Sequence, residues 1–144
     1  MRQAIETLAI DTSGQGMVEI TDMVRGFIAE QRAVTGLLTL WCRHTSASLL
    51  VQENADPDVR ADLEEFFSRL APEASGRYEH QQEGPDDMPA HIRAALTQTQ
   101  LSIPVERGRP MLGTWQGIYL WEHRKSPHRR HVVLHLIASD PEPP

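Results

Sequence analysis

Apolar positions recur along this chain with two different periods, and the changes of period mark out its elements. Residues 2 to 10 mix β-branched and apolar side chains without helical spacing, which predicts a strand ending in a turn around Gly14 and Gly16. From Met23, the residues Val24, Phe27, Ile28 and Val34 follow at three- and four-residue steps. They predict a helix with Thr21 as N-cap and Gly36 as its stop. The short run Leu37, Leu38, Thr39, Leu40, Trp41 is apolar on both faces, as an internal strand should be, and it delivers the chain to His44. A second helix is marked by the stripe Val59, Leu63, Phe66, Phe67 and Leu70, with Asp56 to cap the first amides and Pro57 at the first helical position. Residues 71 to 87, rich in Pro, Gly, Glu and Asp, predict a long surface connection of the kind that often carries function. A short helix should follow, capped by Asp87, with Pro89 in its first turn and Met88, Ile92, Ala95 and Leu96 on one face. Two closing strands, near 113–124 and 130–137, are expected to form a hairpin through Lys125, Ser126, Pro127 and His128.

These elements predict one α+β domain over residues 1–139, with a mixed or antiparallel sheet, about three helices and a disordered tail at 140–144. A length of 144 residues suits one core better than two. Lys and Arg number 14 against 20 Asp and Glu, and the net charge of -6 argues against a broad nucleic-acid surface. No stretch approaches the roughly 20 apolar residues that cross a bilayer, so no membrane partner is expected. The single cysteine, Cys42, leaves no partner for an intramolecular disulfide and no Cys-based metal site, so a cytoplasmic protein is expected.

Chemistry concentrates in three places. In HTSAS, a continuing strand would put His44, Ser46 and Ser48 on one face, either as a site or as a solvated sheet surface. In EGPDDMPAH, Asp87 precedes His91 by one helical turn, so the two can converge on a metal or orient one another, unless Asp87 only caps the helix. His80 in the preceding connection adds another imidazole, and histidines with an acid suit zinc, though the spacing matches no standard zinc motif. In GTWQGIYLWEHR, alternation sets Gln116, Ile118, Leu120, Glu122 and Arg124 against Trp115, Tyr119, Trp121 and His123. Glu122 suits a base, an acid or a ligand, and the Arg124 fork suits phosphate or carboxylate. The aromatic face predicts core packing or a subunit contact. His128, His131 and His135 read as structural, and Arg124, Lys125, Arg129 and Arg130 as a basic cluster that blunts a hairpin or an edge.

Taken in order, HTSASLLVQENADPDV, YEHQQEGPDDMPAHI and LGTWQGIYLWEHR resemble the YjbQ family over nearly the whole chain. The positions that match its motifs are His44, Thr45, Ser46, Asn54, Asp56, His80, Asp86, Asp87, His91, Trp115, Gln116, Glu122 and Arg124. The resemblance implies a small α+β homotrimer with a polar pocket near its subunit contacts that holds a metal or an anion. It also implies secondary thiamine-phosphate synthase activity, joining a pyrimidinylmethyl pyrophosphate to a thiazole phosphate. On that expectation His44, Glu122 and Arg124 are catalytic, and Thr45, Ser46, Asn54, Asp56, Trp115 and Gln116 bind a small phosphorylated metabolite. His80 and His91, with His44 or Asp87, hold a divalent metal, zinc by ligand type or magnesium with a pyrophosphate. A metal-assisted hydrolase of a phosphorylated metabolite and a non-enzymatic metal- or phosphate-binding module are the alternatives. The trimer is expected to be obligate, because Trp115, Tyr119 and Trp121 on one strand face exceed what a thin core needs.

Overall fold

The computed structural model describes residues 1–74 and 76–139. The tail expected at 140–144 lies outside them. Three helices and eight strands follow in the order β1 (Arg2–Thr12), β2 (Gly16–Glu19), α1 (Thr21–Glu30), β3 (Thr35–Cys42), β4 (Ala47–Glu53), α2 (Pro57–Leu70), α3 (Asp87–Leu96), β5 (Gln100–Glu106), β6 (Arg109–Pro110), β7 (Gln116–Glu122) and β8 (His128–Ala138). The strands make a five-stranded sheet, β1-β8-β3-β5-β6, and a three-stranded sheet, β2-β7-β4. Every pairing is antiparallel, so the fold is α+β in one domain as expected. One apolar cluster joins Leu38, Leu40, Val132, Leu134 and Leu136 of the larger sheet to Leu49, Ile118 and Leu120 of the smaller one, with Val24, Phe27 and Ile28 of α1.

The expected hairpin of the last two strands does not form. β7 is flanked by β2 and β4, and β8 by β1 and β3. Neither has a free edge for the other, so His123 to Pro127 carries the chain between sheets. The first helix is also shorter than its apolar spacing suggests. It begins at Thr21, whose hydroxyl donates to Glu19 and accepts from the Ile118 N–H, and it is over by Arg32, which takes a positive φ of 53°. Gly36 is no helix stop. It lies in β3, where a Cβ would meet the Ile137 carbonyl at 2.3 Å, so the close approach of β8 requires glycine.

α2 starts as predicted, the Asp56 carboxylate accepting from the Asp58 N–H at 2.9 Å with Pro57 behind it. It lies over β7: Phe67 meets Trp121 edge to face, Trp121 Nε1 donates to Glu64, and Arg60 stands over Tyr119. Tyr119 and Trp121 are therefore buried within one chain, and the apolar excess expected on their face reduces to Trp115. β5 runs through Pro104, and β6 pairs only with Val105 and Glu106 beyond it. A proline at that point interrupts the period-two signal.

Candidate metal centre

α3 opens one residue earlier than a cap at Asp87 would place it. Asp86 holds the N-cap position without a side-chain cap bond, and Asp87 is the first helical residue. Both carboxylates are drawn instead to Arg124, which donates from Nε to Asp86 (2.9 Å), from Nη1 to Asp87 Oδ1 (2.8 Å) and from Nη2 to the Glu83 carbonyl (2.8 Å). The Asp86 hydrogen bond leads in raising the Arg124 pKa. Its fork fixes the end of the connection and the start of the helix together.

With Oδ1 held, Asp87 turns Oδ2 toward two imidazoles. His80 Nε2 lies 2.7 Å from it and His91 Nε2 3.0 Å, and the three candidate ligand atoms all fall within 4.8 Å of one another. Burial would raise the Asp87 carboxyl, but the His80 hydrogen bond and the contributions of His91 and Arg124 outweigh it and hold the pKa below its ordinary value. The side chain of Asp87 is 5% exposed, those of His80 and His91 47% and 30%. The ligand set is thus anchored from inside and open from outside. On its far nitrogen, His91 Nδ1 lies 2.9 Å from the Thr45 carbonyl, which can only accept. Nδ1 is thus the donor to that carbonyl, and the ring faces Oδ2 through Nε2, the arrangement in which a backbone carbonyl orients a ligating histidine.

His44 stands apart from this group. Its Nε2 accepts from the His131 N–H at 2.7 Å, and burial, followed by Arg130 and His131, lowers its pKa. The ring is neutral, and the nitrogen it could offer a metal is taken. Glu122 is fully buried and accepts from Thr12 (2.7 Å), from the Arg124 N–H (3.1 Å) and from Arg130 (2.8 Å at Nε). Burial would raise its pKa, but Arg130, Thr12 and the Arg124 amide hold it low. Ser46 belongs to the same buried pair, its hydroxyl accepting from Arg130 at 3.0 Å. Thr45 reaches the metal cluster through its carbonyl.

The remaining expected substrate residues lie elsewhere. Asp56 caps α2. Gln116 pairs with Glu53, and Asn54 donates from its backbone to the Trp115 carbonyl, all at the opposite end of β7 from Glu122. Arg130 was missed as a site residue because a basic cluster reads as surface. Yet it is in phase with Val132, Leu134 and Leu136, the inward residues of β8, and that alternation was the signal available. Arg93 was missed likewise. It is buried and ties α3 to Glu64 and Ser68 of α2.

Residues 6–139 match the profile of a family described as UPF0047 protein YjbQ-like. A UPF0047 protein of Synechocystis sp. is 52% identical over 135 residues, covering 94% of this chain and 92% of its own. The UPF0047 protein YjbQ of Escherichia coli O157:H7 is 45% identical over 132 residues, covering 91% and 95%. Among solved structures, an uncharacterized conserved protein of the YjbQ/UPF0047 family from Clostridium acetobutylicum superposes with a TM-score of 0.84 at 34% identity, over 92% of this chain and 99% of that one. These relatives carry family designations and no activity, which overturns the expectation of thiamine-phosphate synthesis. The geometry agrees with the correction. The Arg124 fork expected on a pyrophosphate is spent on Asp86, Asp87 and Glu83.

Proposed function

The chain belongs to the UPF0047 family of YjbQ-like proteins, and from that premise we propose that it binds one divalent transition-metal ion through His80, Asp87 and His91. The observation that carries this reading is the convergence of one ligand atom each from His80, Asp87 and His91 within 4.8 Å of one another, with the far nitrogen of His91, Nδ1, set against the Thr45 carbonyl. With Thr45 accepting there, Nε2 and Asp87 Oδ2 at 3.0 Å confront each other as two lone-pair donors unless His91 is doubly protonated or a cation joins them. Two imidazoles and one carboxylate suit zinc or a neighbouring transition metal, whereas magnesium and calcium prefer all-oxygen sets. A bound ion with three protein ligands keeps open positions for water or a ligand atom and supplies Lewis acidity there. Arg124 serves this centre by orienting Asp87. It does not contact the ion.

The same proposal includes a cytoplasmic homotrimer. Support comes from Phe66, Leu70 and Trp115, all more than half exposed, which one chain leaves uncovered. No helix among the described residues is long and apolar enough to cross a membrane.

Protein purified without an affinity tag is expected to carry about one such ion per chain, and His80→Ala and His91→Ala to carry none. A wild-type protein that carries no metal, and whose melting temperature added zinc leaves unchanged, contradicts the proposal.

A further inference from the structure

A cleft of about 580 Å³ opens beside the metal centre, within the range of small-molecule sites. It shares His91 with that centre, and its other walls include Trp41, Arg43, Thr45, Ala94 and Ala95. The arginines around it fall into two kinds. Arg93, Arg124 and Arg130 each bond a carboxylate. The exposed Arg43 guanidinium takes part in no hydrogen bond or ion pair among the described residues, and its backbone alone is engaged, donating to His131. A cation in a concave wall that has no partner among the described residues can accept an anion from outside. Trp41, one strand residue away from Cys42 and 49% exposed, presents aromatic surface on the same cleft. Beyond His91, α3 lines the cleft with the methyl groups of Ala94 and Ala95, so volume is left for a flat body.

We propose that this cleft binds a small planar aromatic anion, its charged group on the Arg43 fork and its ring stacked on Trp41 over Ala94 and Ala95. Arg43 supplies charge and two parallel donors, which a phosphate or a carboxylate accepts equally well in geometry. Trp41 supplies the ring contact, which a bare inorganic anion cannot use. The proposal goes beyond metal binding and stands without it, since neither Arg43 nor Trp41 belongs to the ligand set.

Calorimetric titration of the full chain in EDTA, with phenyl phosphate, benzoate and inorganic phosphate as probes, tests it apart from the metal. At least one aromatic anion is expected to bind about tenfold or more tightly than inorganic phosphate, and the stronger of the two identifies the head group. Arg43→Gln should weaken that binding by about tenfold or more, and Trp41→Ala by about threefold or more. Both side chains are exposed, so melting temperatures should match the wild type. Ala95→Leu, which fills the cleft and leaves Arg43 and Trp41 in place, should abolish binding. Inorganic phosphate binding as tightly as both phenyl phosphate and benzoate, wild-type affinity in either the Arg43 or the Trp41 variant, or no binding of either aromatic anion at millimolar concentration overturns the proposal.

Discussion

His123 shows what a single buried residue does to the whole protein. It is fully buried, shares a hydrogen bond of 2.8 Å between Nε2 and the Ser48 hydroxyl, and leaves Nδ1 without a partner among the described residues. Burial, followed by the Arg93 charge, pushes its pKa from 6.5 down to about 3. Once unfolded, the imidazole takes a proton below 6.5, whereas the folded one refuses it until about 3. Across that interval the unfolded state binds more protons, so stability falls as pH falls, by about 1.4 kcal/mol per unit for this group. His123→Asn keeps a donor for Ser48 and removes the titration. Urea unfolding between about pH 6 and pH 4 should therefore show a shallower pH slope for the variant, by about one proton. Parallel slopes would mean that the folded imidazole takes up its proton readily. Alternation put His123 on the aromatic face expected to pack, but its lost titration was not legible, because that follows from α2 closing over β7 from a distant part of the chain.

Elements were legible where their signals are local. α2 carries its own cap, proline and stripe, and it forms as read. The pairing of β7 and β8 was not legible, since short sequence separation favours a hairpin while the choice of partner rests on the inward faces of both sheets. The ion pair between Glu122 at the end of β7 and Arg130 near the start of β8 links the two sheets across that misread connection. Both side chains are buried, so Arg130→Met should cost about 3–5 kcal/mol by leaving an uncompensated carboxylate, and the double change with Glu122→Gln should cost clearly less. Denaturant unfolding of both variants decides it. A cost for Arg130→Met below about 1 kcal/mol would show the pair to be incidental to the joining of the sheets.

At the scale of the whole molecule, half of the candidate site was written in the sequence and half was not. The set His80, Asp87 and His91 was legible because two imidazoles and an acid stand close in sequence beside an aperiodic connection. Asn54, Asp56, Trp115 and Gln116 were grouped with them by motif alone, and the strand direction of β7 carries them to its other end. Their exposed neighbourhood bears on assembly: Trp115 is 62% exposed, and the proposed homotrimer of this 16.3 kDa chain should give a light-scattering mass near three chains. A stable monomer at micromolar concentration would remove the trimer from the account. The central claim is the metal, and zinc titrated calorimetrically into chelator-stripped protein reaches it most directly. Wild type should bind about one ion per chain, His91→Gln should show no binding at that site, and Arg124→Lys, which loses the fork that orients Asp87, should bind about tenfold or more weakly. Wild-type affinity in His91→Gln, or no binding of zinc by the wild type, would contradict the account.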